Sequence, residues 1–546
     1  MLVLGLVLSL ICGEIPADAA HGSIGGELLY NGIRLDSPWP PRKNSLTIDP
    51  PTLPPYLVSP PNVIPVDVGR QLFVDDFLVE KTSLVRIFHP ARYHPTNPVL
   101  KPDRPWEKIA HPRSDACAAP FSDGVWYDPA DNLFKMWYMG GYAQATCYAT
   151  SRDGIHWDKP SLDVQPGTNI VLSTGRRDSS LVWLDLEATD PSRRYMMYLN
   201  DDPEGVRGSL YLSRDGIHWG DAVARVTPCT SDRNSFFRNP FRGVWVYSIK
   251  DRVSNLGRNR RYRECADLVA GAKWNKEELV PWVGADKLDP QREDLKTQPE
   301  LYNLDAVAYE SIMLGLFTIW RGKPSDRPKP NDIVLGYSRD GFNWHRLERT
   351  AFIPVSESHG DWNWGNVQSA GGGCLVVGDK LYFYVSGRAG EKGTANCGVC
   401  STGLAILRRD GFASMRAGNS QETLTTRPLV FNGRYLFVNA DTKSGKLLAE
   451  VLDEKGEVVA PFSRANCQPV CSDKTLQAVS WQGAFDLTML VGKPVRLRFY
   501  LTNGDLYSFW VSPDTSGASR GYVAAGGPGF TGPKDTVGSA AFSGEQ

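Results

Sequence analysis

Three aspartates share one position in successive sequence repeats: each lies 41 or 42 residues before the tryptophan that ends its repeat. They are Asp115, Asp178 and Asp232, measured from Trp157, Trp219 and Trp274. Carboxylates held close together raise one another's pKa, so one can stay protonated while its neighbour stays charged. Hydrolysis of a glycosidic bond needs one carboxylic acid and one carboxylate. The spacing therefore predicts paired-carboxylate acid/base catalysis.

The fourth repeat has acidic residues on either side of the same position. Glu300 lies 44 residues before Trp344, and Asp305 lies 39 residues before it. The fifth repeat has Gly371–Gly373 at the equivalent place. We expect Glu300 and Asp305 to line a substrate subsite, with a gap at the fifth repeat.

An arginine lies within two residues of each of the three aspartates. These arginines are Arg113, Arg177 and Arg233. A guanidinium group can hold sugar hydroxyls, a carboxylate or a sulfate by forked hydrogen bonds, which predicts substrate binding. The alternative is that each arginine forms a structural ion pair that ties neighbouring repeats together.

Tryptophans add a second kind of candidate binding residue. Trp362 and Trp364 lie in the segment His359–Trp364, ahead of the fifth repeat. An indole ring can stack on a sugar ring, but most tryptophans are used for packing. Both interpretations stay open for this pair.

The repeat that positions these side chains is a turn followed by a tryptophan. Ser151–Trp157 returns letter for letter as Ser213–Trp219, and a close copy occupies Ser338–Trp344. A shortened copy occupies Arg408–Phe412, and the spacing places a decayed one at Ala272–Trp274. Five periods of strand-rich sequence predict an all-β fold with a five-bladed β-propeller. The innermost strands of the blades would bring the acidic residues to one central funnel.

The aspartate of each turn copy has a structural interpretation. Asp153, Asp215 and Asp340 follow Ser-Arg and precede Gly, which is typical of a side chain that caps a turn. Because the aspartate recurs in the scaffold of several repeats, we interpret it as a cap and not as a catalyst.

Composition divides the chain into five segments. They are a signal peptide at 1–20, a Pro-rich strap at 21–65, the propeller at 66–420, a C-terminal β-sandwich at 421–515 and a loose Gly-rich tail at 516–546. Leu2–Cys12 is apolar and Ala17–Ala19 offers small residues for cleavage, which predicts a secreted or periplasmic protein. A buried N-terminal strand is the alternative. Gln71–Val79 is expected to complete the last blade.

Export permits disulfides, and two close pairs are candidates: Cys397 with Cys400 and Cys467 with Cys471. The formal charge of −1 provides no basic surface for nucleic acid. No segment after the signal peptide has transmembrane length, and no ligand spacing indicates a metal or another cofactor. The expected partner is a carbohydrate substrate.

With its Ser-x-Asp-Gly-x-x-Trp turns and the segment His94–Leu100, the chain resembles the exported five-bladed glycoside hydrolases of families 32 and 43. That resemblance implies three essential acids: one in the first blade, one in an Arg-Asp-Pro element and one in a Glu-Cys element. Arg177–Asp178 matches the second with Ser179 in place of proline, and Glu264–Cys265 matches the third in letters. Asp115 or Asp123 would stand for the first.

The leading hypothesis is an exported glycoside hydrolase that acts on a poly- or oligosaccharide. Asp115 is its expected base or nucleophile, Asp178 its supporting acid, and Asp232 or Glu264 its proton donor. A carbohydrate-binding propeller without catalysis is the first alternative. A sialidase-like enzyme is the second, because similar turns occur in sialidases.

Overall fold

The computed structural model describes residues 26–42, 45–201, 208–227, 232–324 and 327–542. The predicted signal peptide at 1–20 lies outside the described residues. The chain is all-β, as the sequence predicts. Its helices are short: the α-helix Pro55–Val58 and the 3-10 helices Pro105–Lys108, Pro191–Arg193, Ala270–Ala272, Lys276–Glu278, Thr488–Leu490 and Gly538–Phe542. Within the described ranges, none of them is long and apolar enough to cross a bilayer.

Five consecutive antiparallel units, which we number 1 to 5, follow one another along the chain. Unit 1 contains Ala116–Asp128, Leu133–Gly140, Ala145–Ser151 and Ile170–Ser173, and unit 2 contains Ser180–Leu184, Tyr195–Leu199, Gly208–Ser213 and Ala224–Val226. Unit 3 contains Ser235–Asn239, Val244–Val253, Gly257–Cys265 and Val280–Gly284, and unit 4 contains Glu300–Glu310, Ile312–Trp320 and Asn331–Ser338. Unit 5 contains Asn366–Ser369, Leu375–Val377, Lys380–Arg388 and Val399–Arg408.

The first strands of the five units meet in cyclic order. Each contacts the first strand of the next unit, and Asn366–Ser369 of unit 5 contacts Ala116–Asp128 of unit 1. One hydrophobic core runs through all five units. The first strands therefore surround a common centre.

The repeated turn connects the third strand of a unit to the segment that follows it. In unit 1, the Ser151 hydroxyl accepts the Gly154 N–H, and Asp153 Oδ1 accepts the N–H groups of Ile155 and His156. The copies at Asp215 and Asp340 form the same bonds, so the predicted capping role is confirmed.

A second group of strands packs beside the units. One of its sheets contains Asp473–Ala478, Tyr435–Asp441, Gly504–Ser512, Ala413–Ala417 and Val85–Phe88, with Gln71–Leu72 on Gly504–Ser512. The other contains Lys446–Leu452, Arg496–Thr502, Glu422–Thr426 and Val79–Thr82, and Ile64–Pro65 pairs separately with Leu429–Val430. A separate hydrophobic core fills this group.

The expectation that Gln71–Val79 completes the last repeat is wrong. Phe73 and Phe77 belong to the second core, and the Phe73 ring lies 5.8 Å from that of Phe509, so this apolar run joins the C-terminal sheets. A later strand, Arg92–Tyr93, pairs with Val399–Arg408 of unit 5. The N-terminal part of the chain therefore still contributes a strand to the last unit.

The Gly-rich segment that the sequence predicts to be loose is packed as far as residue 542. Tyr522–Val523 pairs with Glu300–Glu310 of unit 4, and Val523 and Phe530 are buried in the core of the units. Asp535 forms a buried ion pair with Arg409, 3.2 Å apart. Apolar and charged partners within the units, which local composition does not reveal, hold this segment in place.

The two predicted disulfides are not formed. Cys397, Cys400, Cys467 and Cys471 are free thiols. The Cys397 sulfur accepts a hydrogen bond from Arg388 Nη1 at 3.2 Å, and the Cys467 sulfur accepts the Ala449 N–H at 3.2 Å. Cys467 is buried whereas Cys471 is exposed, so the close spacing in sequence does not bring this pair together.

Candidate active site

Arg233 marks the centre of the five units. It precedes the first strand of unit 3, and its Nη1 donates to the Phe121 carbonyl of unit 1 at 3.1 Å. Its Nη2 donates to Gln368 Oε1 of unit 5. The guanidinium lies 4.1 Å from the centre of the Phe121 ring and 5.5 Å from that of Tyr302 in unit 4. One side chain thus contacts units 1, 4 and 5 from unit 3.

Asp178 and Asp232 lie next to each other at this centre. The Ser179 hydroxyl donates to the Asp232 carbonyl, which joins the segment before unit 2 to the segment before unit 3. Asp178 Oδ1 accepts the Ser179 N–H at 2.8 Å, and the Asp178 N–H donates to the Asn200 carbonyl at 2.8 Å. The structure therefore brings together two of the three aspartates that share the repeat position.

The two carboxyl groups have different surroundings. Burial raises the pKa of Asp178, and the charge of Asp232 raises it further, while Arg233 partly opposes both effects. Asp232 is 41% exposed and accepts a hydrogen bond from the Lys250 ammonium group. Acid/base catalysis by two carboxyl groups requires such a difference, with the pKa of one raised and the other paired with a cation.

Tyr302, in the first strand of unit 4, forms the next part of the site. Lys329 Nζ donates to its hydroxyl at 2.9 Å. Burial by itself would raise the pKa of Tyr302, but the charges of Lys329, Arg233 and Arg388 lower it to about 8. The site is therefore acidic at Asp178 and Asp232 and cationic around Tyr302.

The predicted substrate-binding role of Arg177 is wrong. Its Nη1 and Nη2 donate to the two carboxylate oxygens of Asp123 at 2.9 and 3.0 Å, and both side chains are buried. Nη1 also donates to Thr146 at 3.0 Å, and Nε donates to the Asp178 carbonyl at 3.0 Å. Arg177 thus forms the structural ion pair of the alternative interpretation, and it also anchors the Asp178 backbone.

The structure does not join Asp115 and Arg113 to the aspartate pair. Asp115 is exposed, and its carboxylate accepts a hydrogen bond from Asn396 at 3.2 Å. Arg113 is also exposed, and its carbonyl accepts the Cys397 N–H at 2.8 Å. The first strand of unit 1 begins at Ala116 and shifts register between Ala119 and Gly124, so the common spacing ends at the outer end of a longer strand.

Glu264 lies away from the centre, which contradicts its predicted role as proton donor. It belongs to the third strand of unit 3, opposite Val246, and accepts hydrogen bonds from Arg242 Nη1 and the Tyr262 hydroxyl, both at 2.5 Å. Arg242 also donates to Glu27 of the N-terminal segment at 2.9 Å. Glu264 therefore holds the N-terminal segment against unit 3.

Glu300 and Asp305 both belong to the first strand of unit 4, but only Glu300 pairs with a basic residue of the site. Glu300 accepts the Arg258 N–H at 3.1 Å and pairs with its guanidinium, beside Tyr302. Asp305 is buried and accepts hydrogen bonds from Ser369 at 2.5 Å and Asn303 at 2.8 Å. Burial raises its pKa. Asp305 thus connects units 4 and 5 below the site.

Trp362 and Trp364 are used for packing. Trp362 covers Gly403, where an added Cβ would lie 2.0 Å from the indole ring, and its ring lies 5.6 Å from that of Tyr93. Trp364 is buried, and the Arg327 guanidinium lies 5.3 Å from its ring centre. These contacts support the packing alternative: Trp364 is buried, and Trp362 is half-buried.

Sequence reasoning missed the basic residues of the site, namely Lys250, Arg258, Arg260, Lys329 and Arg388. Two of them follow from antiparallel pairing, because the second strand of a hairpin returns beside the start of the first. Arg388 pairs directly with Asn366, and Lys250 lies two residues beyond the Ser248 that pairs with Ser235. Basic residues in the strands that pair with the start of each first strand would have identified both.

Comparison with known proteins gives structural similarity and no sequence relative. No family model matches the chain, and no curated protein matches it. A glycosyl hydrolase from Bacteroides ovatus has a TM-score of 0.39 at 15% identity, over 62% of this chain and 97% of its own.

Two further solved structures cover more of the chain. A family 43 arabinoxylan arabinofuranohydrolase from Bacillus subtilis has a TM-score of 0.34 at 10% identity, over 78% of this chain and 99% of its own. An exo-β-1,3-galactanase from Phanerochaete chrysosporium has a TM-score of 0.34 at 11% identity, with the same two coverages. Because these scores are below 0.5, the function proposed below rests on this chain's own residues.

Proposed function

We propose that the protein is a glycoside hydrolase in which Asp178 and Asp232 act as a carboxylic acid and carboxylate pair. The observation that carries this proposal is the raised pKa of Asp178 beside Asp232, at the centre where five units meet. Asp178 would donate its proton to the glycosidic oxygen as the bond to the anomeric carbon breaks. Asp232 would act at that carbon, either directly or by taking a proton from a water molecule.

We also propose that the five units are the blades of a five-bladed β-propeller and that the C-terminal sheets form a β-sandwich. The cyclic contacts of the first strands support the propeller, and the separate core of the second group supports the sandwich. In such a propeller the aspartate pair would occupy the central funnel.

Export belongs to the proposal, on the strength of the apolar run Leu2–Cys12 followed by Ala17–Ala19. The mature chain is expected to begin near residue 20 and to be recovered outside the cytoplasm. Recovery of a cytoplasmic protein that retains Met1 would contradict export.

Reducing-sugar release from a panel of polysaccharides and aryl glycosides tests the hydrolase assignment. We expect Asp178→Asn and Asp232→Asn each to lower kcat at least about 100-fold, because each removes one of the two proton-transfer groups. Asp221→Asn is the matched control, since Asp221 is exposed in a loop of unit 2. Full turnover by both active-site variants would overturn the assignment.

The carbohydrate-binding alternative predicts saccharide binding without product release by the wild-type protein. The sialidase-like alternative is favoured by one observation, the convergence of Arg233 and Arg388 on Tyr302 with its lowered pKa. In that case the Tyr302 oxygen would be the nucleophile, and Tyr302→Phe would abolish turnover of a sialoside. Full activity of Asp178→Asn on neutral glycosides would exclude the paired-carboxylate hydrolase. Full activity of Tyr302→Phe on a sialoside would exclude the sialidase-like enzyme.

A further inference from the structure

The buried arginines of the chain fall into two groups. Ten arginines are buried among the described residues. Seven of them form an ion pair with a carboxylate: Arg70, Arg177, Arg321, Arg327, Arg339, Arg346 and Arg409. Within the same described ranges, the remaining three have no carboxylate within ion-pair distance. These three, Arg233, Arg260 and Arg388, form what we call the cationic centre.

Neutral groups hold the cationic centre in place. Arg260 donates to the Tyr302 carbonyl at 2.5 Å and to Asn303 Oδ1 at 3.0 Å, and Arg388 donates to the Cys397 sulfur at 3.2 Å. The Nε atoms of all three arginines are buried and have no hydrogen-bond partner. Neutral acceptors orient a guanidinium but leave its charge uncompensated, and a buried unpaired charge is costly.

The acidic groups nearest to the cationic centre compensate it poorly. Asp178 and Asp305 act on Arg233 at longer range, and burial raises the pKa of both carboxyl groups. Asp232 already accepts a hydrogen bond from Lys250. Lys329 adds another cation, which donates to the Tyr302 hydroxyl. An anion from outside the chain is the partner that would balance this charge.

The cationic centre adjoins the proposed catalytic pair. Arg233 immediately follows Asp232 in the chain and lies against Tyr302, whose hydroxyl Lys329 contacts. Lys329 and Asp178 are both half-buried and so remain accessible to a ligand. The charges of Lys329, Arg233, Arg388 and Asp232 all act on Tyr302, so a saccharide bound at the aspartate pair would lie close to these cations.

We propose, on the basis of the proposed function, that the substrate is an anionic saccharide whose carboxylate or sulfate group binds Arg388 and Lys329. The oxyanion would supply the charge that the cationic centre lacks and would fix the sugar ring relative to the aspartate pair. Guanidinium and ammonium groups together suit an oxyanion through charge-assisted hydrogen bonds.

Matched oligosaccharide pairs test this proposal with the full-length protein. The first pair is an oligogalacturonide and its carboxyl-reduced neutral form, and the second is a sulfated galactan oligosaccharide and its desulfated form. Binding to Asp178→Asn and turnover by the wild type are measured for each. We expect at least about tenfold tighter binding of one anionic member, and the pair that shows it identifies the anionic group.

Variants of Arg388 and Lys329 test whether these two residues cause the preference for the anionic saccharide. Arg388→Gln and Lys329→Gln are each expected to weaken binding of the anionic member about tenfold and of the neutral member less than about twofold. Lys323→Gln is the control, because Lys323 is an exposed lysine in unit 4, in the same loop as Lys329. If Arg388→Gln does not fold, Lys329→Gln and the salt dependence of wild-type binding provide the same test.

The outcomes separate this inference from the function on which it rests. Equal or tighter binding of both neutral members, with hydrolysis intact, overturns the anionic substrate and leaves the hydrolase. Selective binding of an anionic member that no variant or wild-type protein hydrolyses supports the anionic site and overturns the hydrolase. Unchanged anion selectivity in both Arg388→Gln and Lys329→Gln contradicts the proposed contacts.

Discussion

The ion pair between Arg177 and Asp123 makes the sharpest prediction about stability. Both side chains are buried, and two parallel hydrogen bonds of 2.9 and 3.0 Å join them. Arg177→Met would leave the Asp123 carboxylate in the core without its cation. Breaking a buried pair in this way costs about 3–5 kcal/mol, so the free energy of unfolding should fall by that amount.

A double-mutant cycle assigns this cost to the pair. Asp123→Leu combined with Arg177→Met removes both charges, and apolar replacement of a buried pair is often close to neutral. The double variant should therefore regain most of the lost stability, measured by urea unfolding followed through tryptophan fluorescence. Arg152→Met, at an exposed position in the turn after the third strand of unit 1, is the control and should change stability by less than about 0.5 kcal/mol.

Activity gives the cycle a second readout. Arg177 Nε also donates to the Asp178 carbonyl, and the double variant lacks that bond. Its stability should return while its kcat stays low. If Arg177→Met were as stable as the wild type and only raised KM, the arginine would be a substrate ligand and the structural interpretation would be refuted.

Two further predictions concern Tyr302 and Gly403. Because the pKa of Tyr302 is lowered to about 8, Lys329 and the cationic centre stabilise its phenolate above that pH. Between pH 8 and pH 10, the free energy of unfolding of the wild type, measured in urea, should rise by up to about 2–3 kcal/mol relative to that of Tyr302→Phe. The absence of a pH-dependent difference between the two proteins would contradict this. Gly403→Ala places a methyl group 2.0 Å from the Trp362 ring and should destabilise the protein by about 1–3 kcal/mol without changing KM. Gly418→Ala, where the added methyl group has no neighbour within 4 Å, is the control and should leave stability unchanged. A raised KM with unchanged thermal stability in Gly403→Ala would indicate that Trp362 contacts the substrate.

Local sequence contains much of the information that specifies the repeated units. Ser, Asp and Gly at fixed positions satisfy the backbone of one turn, so the copies at Ser151 and Ser213 could be recognised directly. Even the decayed copy was located by period, since Trp274 is buried against Tyr247, with the ring centres 5.1 Å apart. The same period located Asp178 and Asp232 because units 2 and 3 both begin with short first strands.

The remaining parts of the site depend on strand length and pairing. Unit 1 has a first strand of 13 residues where unit 2 has 5, so Asp115 lies at an exposed end and not at the centre. Glu264 matched a motif in letters, but its strand is third in unit 3 and faces the N-terminal segment. Arg388 comes to the centre through its pairing with Asn366, so it can be found only once the pairing of these strands is considered.

The central claim is that Asp178 and Asp232 act together on one bound saccharide. A crystal structure of the Asp178→Asn variant with a bound oligosaccharide substrate tests it most directly. We predict a glycosidic oxygen within hydrogen-bonding distance of residue 178, with the adjoining anomeric carbon facing the Asp232 carboxylate. A saccharide bound outside the centre of the five units, in contact with neither residue, would contradict the claim.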